Sequence, residues 1–197
     1  MNNLHLFELI NAPRGLDPLR LALAVLLAQW VICLIPLVIA LAWVRGDRSA
    51  RLDLLLIVLA AGLALGFAQI VAHAWPQPRP LALHLGVQYL AHANDPGLPS
   101  DHVTVFWSVA LAALASQKFA LWSMPTLALG LVVGWSRVYL GVHFPFDIAA
   151  ALPVALAGTA TALLMRAPMR PVFERVLTRH DRLADSLRGR LPHSRKP

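Results

Sequence analysis

The stretch that decides the fold is GWSRVYLGVHFPFD, residues 134–147. Most of its residues are apolar and suit a membrane-spanning helix, yet it carries Arg137, His143 and Asp147. Ionisable side chains at membrane depth are costly, so they are candidates for a functional site. The alternative is that they anchor the chain at the membrane surface. The remainder of the sequence has to decide between the two.

The amino-acid composition is typical of an integral membrane protein. It has 197 residues, of which 58% are hydrophobic and 14% are charged, whereas a soluble domain has about 25% charged residues. We therefore predict an all-α integral membrane protein: a compact bundle of about five transmembrane helices plus short interfacial helices. The predicted spans are residues 19–44, 52–74, 103–116, 121–139 and 148–165.

The connections suggest how the chain is divided. Residues 1–18 are predicted to form an interfacial segment, because their apolar residues recur near helical spacing. Residues 75–101 form the long polar connection, and 81–95 within it are predicted to be an amphipathic surface helix. Residues 1–165 are expected to form one membrane domain, and residues 166–197 a basic tail.

The distribution of positive charge predicts the orientation. With five spans, 13 of the 17 Lys and Arg residues fall on the side of the C-terminus. This asymmetry predicts a cytoplasmic C-terminus. A basic tail could also bind nucleic acid, but no aromatic residues are interleaved with its basic residues, so we expect no nucleic-acid partner. It is more typical of a tail that touches anionic lipid.

Metal chemistry is not expected from the residue pattern. Cys33 is the single cysteine, so no thiolate cluster is possible within the chain. Five histidines fall on or near the side opposite the tail: His73, His84, His92, His102 and His143. Their spacing matches no common zinc motif such as HExxH, so neither a metal nor another cofactor is predicted.

The parity of the spans predicts one polar pocket. The 75–101 loop follows the second span and the 140–147 loop follows the fourth, so both loops face the same side of the membrane. The residues that can meet there are Arg79, Ser100, Asp101, His102, Arg137, His143 and Asp147.

These residue types suit phosphate. Two arginines supply planar donor forks that match phosphate oxygens. Ser100 adds a hydroxyl just before the third span, where helix N–H groups also favour an anion. Ser100 or Asp101 taken alone could equally be a helix N-cap and nothing more.

The His143–Asp147 spacing predicts a nucleophile. Pro145 is best placed as the first residue of the fifth span, so His143 precedes that helix and Asp147 lies in its first turn. The carboxylate can then hold one imidazole nitrogen and leave the other free to attack. His102 could give its proton to the leaving oxygen.

Three segments together resemble a known family. PRP, PSDH and SRVYLGVHFPFD resemble the signature K-x6-R-P, P-S-G-H and S-R-x5-H-x3-D of the type 2 phosphatidic acid phosphatase (PAP2) family. The third part matches fully, from Ser136 to Asp147. The second has Asp101 in place of glycine. The first matches at Arg79 and Pro80, but its lysine position is Ala72, with His73 as the neighbouring substitute.

PSDH with WSRVYLGVHFPFD is similar to the bacitracin-resistance branch, the undecaprenyl pyrophosphate phosphatases of bacterial inner membranes. The resemblance implies metal-free, cofactor-free hydrolysis of a polyprenyl diphosphate at the periplasmic face, which recycles the cell-wall lipid carrier. It implies that His143 is the nucleophile that forms a phosphohistidine, that Asp147 orients it, and that His102 is the acid and later the base. Arg79, Ser100 and Arg137 would hold phosphate, with Asp101, His73 and Ser136 as auxiliary residues.

Other functions stay open at this point. The same motifs could serve a phosphatidylglycerol phosphate or phosphatidic acid phosphatase, or a lipid A phosphotransferase. A lipid transporter is a more distant alternative, but its polar residues should line a path through the membrane rather than cluster at one end of the spans. The expected partners are the lipid substrate and the bilayer, and the oligomeric state is left open.

Overall fold

The computed structural model describes residues 2–93 and 95–189, and all regular secondary structure in that part of the chain is helical. The main helices are α1 (Asn3–Ile10), α2 (Pro18–Val25), α3 (Leu34–Arg45), α4 (Arg48–Ala74), α5 (Asp101–Leu114), α6 (Ser123–Tyr139) and α7 (Pro145–Gly189).

The first predicted span is one helical rod made of two α-helices. Its start is set by Asp17, whose carboxylate accepts hydrogen bonds from the backbone N–H groups of Leu19 and Arg20 at 2.9 and 3.1 Å. A π-helical turn (Leu26–Trp30) and a short 3₁₀ turn (Val31–Cys33) join α2 to α3. Wide π turns occur frequently at functional sites, and this one lies beside the cavity described below.

The predicted membrane bundle is confirmed as an all-helical fold. In the described residues, three segments are long and apolar enough to cross a membrane: Pro18–Arg45, Arg48–Ala74 and Pro145–Ser186. The shorter α5 and α6 pack against each other, and α5 also packs against both α4 and α7. The chain is therefore a multi-pass membrane protein. The packing of α4, α5, α6 and α7 brings one end of each of these helices to the same end of the bundle.

The last helix is longer than predicted. The fifth span was expected to end at residue 165, but α7 continues to Gly189. It does so because the basic segment still carries apolar residues that pack inward: Phe173 joins the core cluster of α4, and Leu177 is fully buried. Arg48, at the start of α4, also pairs with Asp181 at 2.8 Å. The predicted tail therefore begins as packed helix, and its residues 190–197 lie outside the described part.

The predicted amphipathic helix over 81–95 is wrong. The described part of that segment holds a 3₁₀ turn at Leu81–Leu83 and then irregular backbone. Its backbone groups pair with other elements instead: the Asn11 side chain bonds both the N–H and the C=O of Val87, and the Tyr89 N–H donates to the Leu140 carbonyl at 3.0 Å. Backbone groups used in this way cannot form an i to i−4 ladder.

The N-terminal segment forms the short helix that was predicted, α1. Its Phe7 is fully buried and meets the Phe144 ring edge-on, with the ring centroids 5.2 Å apart. Asn11 follows this helix and also donates to the Tyr139 carbonyl at 3.1 Å. Helix α1 and the polar loop therefore brace the segment between α6 and α7, which carries His143.

A glycine allows α4 and α7 to approach closely. A Cβ added at Gly158 would stand 2.5 Å from the Cα of Ala64, with no flexible side chain to yield. We expect Gly158→Ala to destabilise the protein by about 1–3 kcal/mol through overpacking. Gly62→Ala is the matched control, because a Cβ there meets nothing within 4 Å in the described chain. Thermal unfolding in detergent should show a lower Tm for the first variant only; equal Tm values would contradict the close approach.

Candidate active site

One end of the bundle holds a cavity of about 460 Å³ where four helix ends meet. It is lined by the end of α4, the polar loop, the start of α5, the end of α6 and the residue two positions before α7. The predicted site residues on its wall are His73, Arg79, Asp101, His102, Arg137 and His143. The loops that parity placed on one side thus contribute to a single cavity.

His143 and Asp147 are arranged as their spacing predicted. Helix α7 begins at Pro145, so His143 precedes the helix and Asp147 lies in its first turn. The Asp147 Oδ2 lies 3.3 Å from the His143 Nδ1 and accepts the Phe144 N–H at 2.8 Å. Both side chains are almost completely buried. An ionised carboxylate accepts only, so Nδ1 carries the imidazole proton and Nε2 keeps its lone pair.

The electrostatic surroundings keep His143 neutral. Burial lowers the pKa of His143 well below its ordinary value, and the positive charges of Arg137 and Arg79 lower it further. A histidine that must attack phosphorus needs an unprotonated nitrogen. The cavity therefore offers an imidazole in its nucleophilic form near pH 7.

Arg79 lies directly against that imidazole. Its Nη1 is 3.2 Å from the His143 Nε2 and also donates to the Val142 carbonyl at 3.1 Å. Its Nε donates to the Asp95 carboxylate at 3.0 Å. The residue is 6% exposed. A buried, permanently charged guanidinium thus lies beside the His143 Nε2.

Arg137 reaches the cavity from the last turn of α6. Its Nη1 donates to the Ala28 carbonyl in the π turn at 3.0 Å, and its Nη2 lies 3.1 Å from the His92 Nε2. Its Nε is buried with no hydrogen-bond partner among the described residues. Unpaired buried donors are rare in native proteins and often mark a site that a ligand completes.

Ser100 occupies the N-cap position of α5 without acting as a side-chain cap. Its N–H donates to the Asp147 carbonyl at 3.1 Å, which holds the start of α5 against the start of α7. Its hydroxyl is buried and has no partner within the described chain. The capping interpretation therefore does not explain the side chain, which is completely buried and is not part of the cavity lining.

The other predicted site residues differ in whether they line the cavity and in which groups they contact. His102 lies in the first turn of α5 and lines the cavity. Asp101 lines it too, but it pairs with Gln69 at 3.2 Å rather than with an arginine. The His73 Nδ1 is 2.7 Å from the Gln69 carbonyl. Ser136 donates its hydroxyl to the Val133 carbonyl one turn back in α6, which occupies its proton within its own helix.

Sequence reasoning missed two residues of the polar loop. His92 and Asp95 line the cavity and contact the two arginines that were predicted to bind phosphate. His92 was considered only as one of several histidines that might bind zinc. Both lie in the segment that was predicted to be a surface helix, so the one available signal for the site was that both are ionisable residues in the same polar loop as Arg79.

Known proteins share sequence with this chain over most of its length. A family model described as the PAP2 superfamily matches residues 52–170. The Escherichia coli K12 protein named "Putative undecaprenyl-diphosphatase YbjG" is 37% identical over 164 residues, which cover 83% of this chain and 82% of that protein. Undecaprenyl-diphosphatase BcrC of Bacillus subtilis is 28% identical over 155 residues, covering 76% of this chain and 78% of that protein.

A solved structure shares the fold. The crystal structure of a transmembrane PAP2 type phosphatidylglycerolphosphate phosphatase from Bacillus subtilis superposes with a TM-score of 0.62 and 17% sequence identity. The match covers 85% of each chain. At this level of identity the likeness supports the helical architecture and leaves the substrate to be argued from the site.

Proposed function

Because the chain belongs to the PAP2 superfamily of lipid phosphatases, we propose that it hydrolyses undecaprenyl diphosphate, or a similar polyprenyl diphosphate, to the monophosphate and inorganic phosphate. The names of its curated relatives support this substrate. The PSDH segment, with Asp101 in place of glycine, and the SRVYLGVHFPFD segment resemble the bacitracin-resistance branch of the family, which supports the same choice among lipid phosphates.

The observation that carries the proposal is the surroundings of His143. A buried neutral imidazole is oriented by Asp147 on one side and touched by Arg79 on the other, and Arg137 lines the same cavity. Phosphoryl transfer depends mainly on positioning and on charge neutralisation around the phosphorus. These side chains supply both functions.

The first half of the reaction forms a phosphohistidine. The Nε2 of His143 attacks the terminal phosphorus of the diphosphate, and the bond from that phosphorus to the bridging oxygen breaks. Arg79 and Arg137 neutralise the charge on the transferred group, and the Ser100 hydroxyl donates a hydrogen bond to it. His102, which is protonated once the negatively charged diphosphate is bound, gives its proton to the bridging oxygen, which leaves as part of the lipid monophosphate. Asp147 stabilises the positive imidazole ring.

The second half restores the enzyme. A water molecule attacks the phosphorus of the phosphohistidine while His102, now unprotonated, accepts a proton from that water. The phosphorus–nitrogen bond breaks, inorganic phosphate leaves, and His143 returns to its neutral form. The net reaction consumes one water and yields the lipid monophosphate plus phosphate, so each proton is accounted for.

The location of the site fits a substrate that stays in the bilayer. The cavity lies at one end of the helices, so the prenyl tail can stay in lipid while the diphosphate enters between the helix ends. The excess of basic residues at the opposite end favours a cytoplasmic C-terminus. On this basis we place the cavity at the periplasmic face of the bacterial inner membrane.

A substrate panel tests the proposal. Detergent-purified protein is given undecaprenyl diphosphate, phosphatidylglycerol phosphate or phosphatidic acid, with EDTA present, and phosphate release is measured. We expect kcat/KM for the polyprenyl diphosphate to exceed the others by at least about 10-fold, the scale of one binding contact of about 1.4 kcal/mol. Preference for a glycerolipid would overturn the substrate assignment.

Orthovanadate and EDTA test the chemistry separately. Vanadate adopts the five-coordinate geometry of the phosphoryl transition state, so we expect it to inhibit competitively. EDTA should leave the rate unchanged, because histidine and arginine side chains perform every step that is proposed. Loss of activity in EDTA that a divalent cation restores would contradict the metal-free mechanism.

A further inference from the structure

The two arginines of the cavity are connected through one loop. Asp95 accepts a hydrogen bond from the Arg79 Nε at 3.0 Å through its carboxylate, and its backbone carbonyl accepts a second at 3.1 Å. The same carboxylate oxygen is 3.3 Å from the His92 Nδ1. On its other side, the His92 Nε2 is 3.1 Å from the Arg137 Nη2. The contacts form a continuous chain: Arg79, Asp95, His92, Arg137.

The contacts among these four residues are consistent with one assignment of hydrogen-bond donors and acceptors. Arg137 can only donate, so the His92 Nε2 must accept. The His92 proton then lies on Nδ1, which is 3.3 Å from the Ala93 carbonyl and equally near the Asp95 carboxylate that accepts from Arg79. Every contact is satisfied when His92 is neutral and Asp95 is ionised.

The charge states agree with that arrangement. Burial lowers the pKa of His92, and the positive charge of Arg79 lowers it further. Burial alone would raise the pKa of Asp95, but the hydrogen bond and the positive charge of Arg79, together with smaller effects, outweigh burial and lower that pKa. Near pH 7 the histidine is neutral and the carboxylate is charged.

We propose that His92 and Asp95 are positioning residues that hold Arg79 and Arg137 as one preformed receptor for the phosphate groups of the substrate. The proposal rests on the phosphatase function proposed above and adds the side chains that set its geometry. Each arginine stem is long and flexible, and fixing it before the substrate arrives lowers the cost of binding. It also keeps the donor forks in the geometry that the transition state requires.

Charge alone would give the opposite expectation for Asp95. A carboxylate beside a phosphate site reduces the positive potential, so its removal should strengthen anion binding if charge decides. If position decides, its removal should weaken anion binding even though the cavity becomes more positive. The sign of the effect therefore separates the two roles.

The first experiment compares Asp95→Ala with the wild-type protein, and Asp95→Asn is the matched control because its amide oxygen can replace Oδ1 as the acceptor. The readouts are the inhibition constant of orthovanadate and kcat/KM for undecaprenyl diphosphate. For Asp95→Ala we expect vanadate to bind about 10-fold more weakly and kcat/KM to fall about 30- to 100-fold, the scale of a small displacement of catalytic groups, with a smaller loss for Asp95→Asn. Unchanged or tighter vanadate binding would overturn the proposal.

The second experiment changes His92, the residue between Asp95 and Arg137. His92→Gln keeps an acceptor for the Arg137 Nη2 and a donor for Asp95, whereas His92→Ala removes both. We expect a loss in kcat/KM of about 30-fold or more for His92→Ala and less than about 5-fold for His92→Gln, on the same displacement scale. His84→Asn is the matched control: it removes an exposed imidazole from the same loop, and Asn tolerates the positive φ of 55° at that position.

The results distinguish a failure of the positioning role from a failure of the proposed substrate assignment. Equal losses for His92→Ala and His92→Gln, with both Tm values unchanged, would overturn the positioning role. A wild-type protein that hydrolyses a different lipid phosphate would overturn the substrate only, because vanadate binding still reports on the arginines. Should His92→Ala unfold, Asp95→Ala and its control Asp95→Asn carry the test.

Discussion

His143→Ala should abolish phosphate release, lowering kcat by about 10⁴-fold or more, the loss typical for removal of an enzymic nucleophile. The His143 imidazole is fully buried and neutral, Asp147 orients it, and its Nε2 lies beside Arg79, whereas the His92 imidazole of the same cavity is partly exposed. His102 has no comparable contact with a carboxylate among the described hydrogen bonds and cannot replace it. The assay is phosphate release from undecaprenyl diphosphate in detergent.

A second variant separates chemistry from folding. His143→Ala leaves Asp147 and the Arg79 Nη1 without their imidazole partner, so it should also lower the Tm. His143→Asn keeps a donor that can reach Asp147 and should unfold closer to the wild-type temperature. Equal inactivity of the two variants supports the nucleophile. Activity within about 10-fold of wild type in His143→Asn, measured on the same scale, would exclude it.

The part of the site that could be predicted best from the sequence consists of residues that are close together along the chain. Arg137, His143 and Asp147 lie within eleven residues, and Pro145 sets the helix start between the last two. Their relative positions depend on one turn and one helix end, which short-range rules describe well. The parity of the spans then brought Arg79 and Ser100 to the same end of the bundle, because loops two spans apart share a side.

The other part of the site depends on tertiary contacts that leave no periodic pattern. His92 and Asp95 lie in irregular backbone whose path is set by distant partners, such as Asn11 bonding Val87. An amphipathic pattern over 81–95 suggested a surface helix, yet the backbone groups there pair with other elements. The length of α7 was also underestimated, since charged residues mask the buried Leu177 and Phe173.

Asp147→Asn should show how much of the rate comes from the charge of Asp147. In the structure one carboxylate oxygen, Oδ2, lies near the His143 Nδ1 and accepts the Phe144 N–H. An asparagine can place its amide oxygen at that position and keep both hydrogen bonds. The substitution therefore leaves the imidazole orientation intact and removes the negative charge that stabilises the ring once it becomes positive during attack.

We expect Asp147→Asn to lower kcat by about 10²- to 10⁴-fold, the range set by electrostatic stabilisation and by the orienting carboxylate of a catalytic triad. Vanadate binding should change less than about 5-fold, a difference below about 1 kcal/mol, because both arginines stay in place. Asp147→Ala is the companion variant: it also frees the Phe144 N–H and should lower the Tm. A rate for Asp147→Asn within a few-fold of wild type would mean that the carboxylate only orients the ring. Loss of vanadate binding as well would mean that the negative charge of Asp147 is needed to position the arginines. The contact with Ser100 would not explain such a loss, because Ser100 donates to the backbone carbonyl of Asp147, which the substitution does not change.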